Sequence, residues 1–130
     1  MTTGGCHCGA IRYEVTGEPE HSALCHCSDC RKSAGAHMIG FALFSRDQIS
    51  ISGEPVRYQS SAEGERQFCG VCGASLFYVN ETVFPGKIDI HTASLDDQAA
   101  YPPQAKIQLA EAAPWMASAH ELPGFDRYPG

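Results

Sequence analysis

Seven cysteines in three short clusters are the residues of this chain best suited to chemistry: Cys6-His7-Cys8, Cys25-His26-Cys27-Ser28-Asp29-Cys30 and Cys69-Gly70-Val71-Cys72-Gly73. Cysteine thiolates at about 2.3 Å complete a tetrahedral zinc shell, four in a closed structural site, or three where one position stays open for water or substrate. Cys69 and Cys72, followed by Gly73, read as a tight knuckle whose backbone N–H groups point at the sulfurs. The knuckle supplies two ligands, so a second pair must come from elsewhere. Cys6 and Cys8, followed by Gly9, are the preferred pair, which leaves Cys25, Cys27 and Cys30 as a local CxCxxC trio with an open fourth position. Spacing alone also allows the trio to join one further cysteine in the closed site. It equally allows Cys69 and Cys72 to act as a redox pair, although that leaves five cysteines without a role.

Residues around the trio extend the chemistry. His26 and Asp29 can serve as fourth ligand, ligand-orienting partner or proton shuttle, and an outward-pointing His26 is the plainer alternative. Arg31 and Lys32 come directly after the trio and can hold a substrate carboxylate, as can Arg66 and Lys106, although surface charge also explains them. His7 reads as a turn residue between two ligands, and His37, His91 and His120 read as satisfied or exposed imidazoles.

The elements that must position these residues are mostly short strands. Alternating or apolar runs between turn signals predict strands over Ala10–Val15, Met38–Phe44, Ile49–Ser52, Val56–Ser60, Glu65–Cys69, Leu76–Val79, Lys87–Thr92 and Lys106–Leu109. Gly17-Glu18-Pro19, Gly53-Glu54-Pro55 and Pro85-Gly86 supply the turns. Helix is expected only for one or two turns from Ser28, whose hydroxyl would cap the N–H groups of the next residues. Pro114 argues against a helix over Ala110–His120, which reads as irregular.

Length and composition set bounds. The 130 residues, 43% hydrophobic and 18% charged, suit one globular domain over 1–130. Nine Lys+Arg against fifteen Asp+Glu give a formal charge of −6, which disfavours nucleic acid as a partner. The first residues lack the pattern of a signal peptide, and no stretch approaches the roughly 20 apolar residues of a membrane span. A cytoplasmic protein is expected, in which free thiols serve as metal ligands or nucleophiles rather than disulfides.

These landmarks together resemble the glutathione-dependent formaldehyde-activating enzyme family, also called the centromere protein V/Gfa domain. The resemblance is carried by Gly5-Cys6-His7-Cys8-Gly9-Ala10 with Arg12-Tyr13, Cys25 through Lys32, Phe68-Cys69-Gly70-Val71-Cys72-Gly73, Ile88-Asp89 leading to Ala93-Ser94-Leu95-Asp96-Asp97, and Pro114-Trp115. It implies a mainly β, zinc-stabilised β-tent-like domain of stacked short antiparallel sheets. It implies a structural zinc on Cys6, Cys8, Cys69 and Cys72, and a catalytic zinc on Cys25, Cys27 and Cys30. The implied reaction joins formaldehyde to glutathione, giving S-(hydroxymethyl)glutathione, and belongs to carbon–sulfur lyase chemistry. Some relatives of this fold imply instead a zinc module that binds a protein partner. Where many relatives have histidine, this chain has Lys106, so the substrate pocket is expected to differ there.

Overall fold

Period-two alternation builds most of this molecule, because successive strand side chains point to opposite faces. The computed structural model describes residues 1–130. Its strands are β1 (Thr2–Gly5), β2 (Arg12–Val15), β3 (His21–Cys25), β4 (Ile39–Ser45), β5 (Ile49–Ser52), β6 (Val56–Gln59), β7 (Glu65–Phe68), β8 (Ser75–Val79), β9 (Lys87–His91) and β10 (Ala105–Ile107). One α-helix, α1 (Ser28–Ala34), lies between β3 and β4. The strands form two sheets, a small one ordered β1-β2-β5 and a large one ordered β10-β3-β4-β9-β8-β7-β6. All pairings are antiparallel except β10 with β3, which is parallel.

The main core lies between the sheets. From the small sheet it takes Tyr13 and Val15, and from the large sheet Ala42, Phe44, Phe77, Val79, Ile88 and Ile90. Tyr13 packs edge-on against Phe77 at 5.3 Å between ring centroids, a favoured aromatic geometry. The alternate residues of the large sheet look the other way. Ile39 and Phe41 join Cys25 of β3 and Cys30 of α1 in a second, smaller apolar cluster, with Tyr78 packed against it. The large sheet is therefore covered on both faces, and the second face carries the cysteine trio.

Three expectations are corrected. β1 and β3 were not anticipated. β1 reads Thr-Thr-Gly-Gly, poor strand material, yet a side chain at Gly4 would collide with the ring of the buried Tyr13, so close approach decides the residue. The cap of α1 is the sulfur of Cys27, which accepts from Cys30 N–H at 3.3 Å, rather than the Ser28 hydroxyl. Pro114 does not interrupt a helix but opens one: residues Pro114–Glu121 form a 3₁₀ helix with proline in its first turn, where the missing N–H costs nothing.

Candidate metal centres and the adjoining cavity

Two cysteine-bearing turns meet, each with a sulfur that accepts from backbone N–H groups. Cys6, just past β1, accepts from Ile11 N–H through its sulfur at 3.2 Å, and its carbonyl accepts from Gly9 N–H at 3.2 Å. Cys69, just past β7, accepts from Val71 and Cys72 N–H at 3.3 and 3.4 Å, and its carbonyl accepts from Gly73 N–H at 2.8 Å. Gly9 and Gly73 sit at φ 84° and 79°, the left-handed region where a side chain is strained. The sulfurs of Cys6, Cys8, Cys69 and Cys72 converge, with Cys6–Cys8 at 3.6 Å and Cys8–Cys69 at 3.7 Å. A tetrahedral zinc with bonds of about 2.3 Å requires sulfur pairs about 3.8 Å apart, so the four donors fit that ion. The N–H groups of Ala74 and Cys8 aim at Cys72 and lower its thiol to about 6, which suits a thiolate ligand.

Cys25, at the end of β3, and Cys27 and Cys30, around the start of α1, form the second group. Their sulfurs are 3.0 Å (Cys27–Cys30) and 3.5 Å (Cys25–Cys30) apart, and all three are free thiols. The Cys30 thiol lowers Cys25, and that contact together with burial raises Cys30. Cys25–Cys30 comes close to the spacing that zinc requires and Cys27–Cys30 is shorter; as three converging soft donors the trio could hold a zinc ion and would leave a fourth position free.

The trio forms one wall of a cavity of about 420 Å³. Apolar wall is supplied by Ala23, Phe41, Val83, Phe84 and Ile107, and polar groups by Asp29, Arg66, Asn80, Asp89 and Gln108. Arg66, 6% exposed, is the organising side chain. Its Nη2 donates to Asp29 Oδ2 at 2.5 Å and to Cys30 Sγ at 3.3 Å, and its guanidinium lies 4.3 Å over the Tyr78 ring. Ser60 Oγ also donates to Asp29 Oδ2, at 3.1 Å. Arg66 Nη1 and Asp89 Oδ1 are buried without a hydrogen-bond partner. Burial raises the Asp89 carboxyl to about 7, against the opposing pull of Arg66.

The segment that closes this region is β10 with the residues just beyond it. Its parallel pairing with β3 continues as His26 N–H donating to Ile107 O at 3.1 Å, and Glu111 Oε1 accepts from Ser28 N–H at 3.0 Å. Gln108, at the cavity, is the one non-glycine residue with positive φ, 59°.

The sequence-derived candidates separate accordingly. The structure brings together both cysteine groups as the spacing preferred, and it joins Asp29 to the trio's cavity. His26 does not point outward: it is 2% exposed, neither ring nitrogen has a partner, and it is not among the residues walling the cavity. Arg31 and Lys32 lie on α1 facing shallow outer surface, and Lys106 is exposed on β10; none of the three lines the cavity. His7 is an exposed turn residue, and His37 packs edge-on against Trp115. His91 is neither exposed nor fully satisfied: it is buried against Phe41, and its Nε2 has no partner. Asp89, Tyr78, Phe41 and Gln108 were not singled out as site residues. For Asp89 the signal was present as a charge between Ile88 and Ile90, but alternation reads such a residue as solvent-facing, and here the second face is also buried.

Fold and site together define a two-sheet β protein with two cysteine groups, one of four and one of three, each able to hold a metal ion. Residues 1–111 match the family model described as glutathione-dependent formaldehyde-activating enzyme. The chain belongs to that family. It is similar to a Halomonas elongata protein provisionally named a glutathione-dependent formaldehyde-activating enzyme, 31% identical over 126 residues, covering 89% of this chain and 80% of the relative. It is also similar to an uncharacterized lyase of Schizosaccharomyces pombe, 31% identical over 75 residues, 58% of this chain and 55% of the relative. A crystal structure of a Rhodobacter sphaeroides protein shares the fold, with a TM-score of 0.60 at 23% identity over 73% of this chain and 88% of the other. No helix is long and apolar enough to cross a membrane.

Proposed function

We propose that this protein adds a thiol to an aldehyde carbon, with glutathione and formaldehyde as the pair indicated by the family, and so acts as a carbon–sulfur lyase of the S-(hydroxymethyl)glutathione synthase type. The observation that carries the reading is the position of the trio: Cys25, Cys27 and Cys30 all face one cavity large enough for a ligand. Cys25, Cys27 and Cys30 would hold a zinc that, when bound, would supply a Lewis acid for a carbonyl oxygen or a thiol sulfur, and Cys6, Cys8, Cys69 and Cys72 would hold a second, structural zinc.

In the reaction the thiol loses its proton, sulfur bonds to the carbonyl carbon, and the carbonyl oxygen ends as a hydroxyl. The chain's own groups serve these changes. Arg66 holds positive charge 3.3 Å from Cys30 Sγ, which favours a thiolate there. Asp29, engaged by Arg66 and Ser60, anchors the guanidinium rather than moving protons. Asp89 lines the cavity with a carboxyl that burial raises to about 7, whereas His26, which the sequence offered as a proton carrier, is not among the lining residues.

Proton NMR exchange between formaldehyde and glutathione tests the reading. Catalytic amounts of protein should speed the exchange, and Cys27→Ser should abolish the gain; exchange at the uncatalysed rate with zinc-replete protein would sink the activity.

A further inference from the structure

The cavity is far larger than formaldehyde needs. A water molecule occupies about 30 Å³ and an apolar cavity of about 150 Å³ holds benzene, so the 420 Å³ beside the trio has room for a ring-sized body. Its walls suit one, with Phe41 and Phe84 among the lining residues and Tyr78 beneath Arg66.

The charges argue that this body is not glutathione's. The tripeptide brings two carboxylates and an ammonium. Among the lining residues Arg66 is the only Lys or Arg and its Nη2 is already held by Asp29; His21 is the only histidine, and the carboxyls of Asp29 and Asp89 are of the same sign as the ligand's. A second carboxylate would find no lysine or arginine there and would face two carboxyls, which is unfavourable. Glutathione is then accommodated with only its cysteinyl end at the trio, and the apolar space belongs to the other reactant.

Two polar groups within that space are left over. Arg66 Nη1 and Asp89 Oδ1 belong to side chains 6% and 7% exposed, and neither atom has a partner. In the sheet register Arg66 stands opposite Tyr78, and Tyr78 opposite Asp89, so the two flank one tyrosine on the cavity side. Buried polar atoms are almost always paired. A hydroxyl answers both, because it accepts from the guanidinium and donates to the carboxylate.

Building on the thiol–aldehyde reading above, we propose that the preferred carbonyl substrate is an aromatic aldehyde bearing a hydroxyl group, its ring held by Phe41 and Phe84 and its hydroxyl by Arg66 and Asp89. Addition of RSH to ArCHO gives RS–CH(OH)–Ar: the carbon–sulfur bond forms, the carbonyl π pair moves to oxygen, and the thiol proton ends on that oxygen. No oxidant or reductant is needed.

Two measurements test this separately from the reaction itself. Binding is measured by ligand-observed NMR with 4-hydroxybenzyl alcohol, which has the ring and hydroxyl but no carbonyl. Saturable binding is expected, weakened about tenfold or more by Val83→Trp, which fills the cavity from its exposed rim, and by Asp89→Leu. Circular dichroism and thermal unfolding establish that each variant is folded, and Val83→Trp carries the test if Asp89→Leu is not. Exchange with glutathione is then measured for 4-hydroxybenzaldehyde, benzaldehyde and formaldehyde, and the order of kcat/KM is expected to run in that sequence. Absence of saturable probe binding, or binding indifferent to Val83→Trp, overturns the proposal. Acceleration of formaldehyde exchange above both aromatic aldehydes also overturns it, and leaves the addition reaction standing. Probe binding lost in Val83→Trp with no acceleration for any aldehyde supports the ligand class and sinks the reaction reading instead.

Discussion

Arg66 touches Asp29, Cys30 and Tyr78 at once, and the composition of the trio gives a reason. Three thiolates around a divalent ion leave a negative shell, so a guanidinium beside one sulfur stabilises the assembly. Partners of this kind change metal affinity by about 10–100-fold when removed. Arg66→Met is therefore expected to weaken zinc at the trio by at least about tenfold without affecting the four-cysteine site, while Arg66→Lys, keeping charge but not the fork, falls between. Competition against a chromophoric chelator and the spectrum of cobalt-substituted protein both read this; equal affinity in Arg66→Met and wild type would refute the role. Asp89 and His91 make a second prediction on neighbouring positions of β9. Burial raises Asp89 to about 7 and lowers His91 to about 4, Arg66 opposing the first shift and assisting the second. Asp89 is thus neutral in the fold over a range where the unfolded chain is ionised, so its contribution to stability is present below about pH 4 and is lost as pH rises toward 7. His91 is neutral where the unfolded chain is protonated, so its contribution is present above about pH 6.5 and is lost as pH falls toward 4. Their slopes oppose each other across this window. Denaturant titrations at several pH values should find Asp89→Asn gaining stability with rising pH and His91→Gln losing it, each by up to about 1.4 kcal/mol per pH unit relative to wild type. Parallel curves for all three proteins would exclude these shifts.

Elements decide how much of this could be seen beforehand. β4, β5, β6, β7, β8 and β9 were legible because their alternation or their bounding turns are local signals. The cysteine groups were legible because knuckle spacing and the CxCxxC trio are short. β3 was not: Ser22, Ala23, Leu24 and Cys25 carry no period-two contrast, since β3 lies between β4 and β10 with chain against both faces. Arg12-Tyr13 and Ser94 to Asp96 served the sequence only as landmarks, and the structure supplies their reason. Arg12 Nη1 and Nη2 meet Asp96 at 3.0 and 2.5 Å, and the Tyr13 and Ser94 hydroxyls are 2.6 Å apart, tying β2 to the chain beyond β9. The cavity was illegible because its lining comes from residues far apart in sequence, among them Ala23, Phe41, Arg66, Asp89 and Gln108. Gln108 carries the prediction at this scale. A non-glycine residue at φ 59° costs about 1–3 kcal/mol, more than the roughly 0.4–1 kcal/mol that glycine's freedom gives the unfolded chain, so Gln108→Gly should raise stability by about 1 kcal/mol, a few degrees in the midpoint of thermal unfolding. The same change removes a side chain that lines the cavity, so ligand binding should fall as stability rises. Lower stability in Gln108→Gly would mean that its side-chain contacts outweigh the backbone strain.

At the scale of the whole molecule, neither sheet can cover its own apolar face. Tyr13 and Val15 of the small sheet share one buried cluster with Phe44, Phe77 and Ile90 of the large one, and the same cluster includes Cys6 and Cys69. A metal on the four-cysteine group would thus join the turn after β1 to the turn after β7, across the core that both sheets share. The trio is placed differently, since all three of its cysteines lie within six residues, at the end of β3, at the cap of α1 and within α1. Zinc on four thiolates contributes about 10–16 kcal/mol of apparent binding energy, as large as the roughly 5–15 kcal/mol that separates a typical domain from its unfolded state. Cys69→Ser should therefore abolish the unfolding transition, leaving a chain without native circular dichroism in reducing buffer. Cys27→Ser should retain one cooperative transition, consistent with residues 1–130 forming a single domain, and elemental analysis should find it short of one zinc per chain relative to wild type. A folded Cys69→Ser together with an unfolded Cys27→Ser would reverse the assignment of closed and open centres, because the centre whose loss unfolds the chain must be the one that holds the two sheets together.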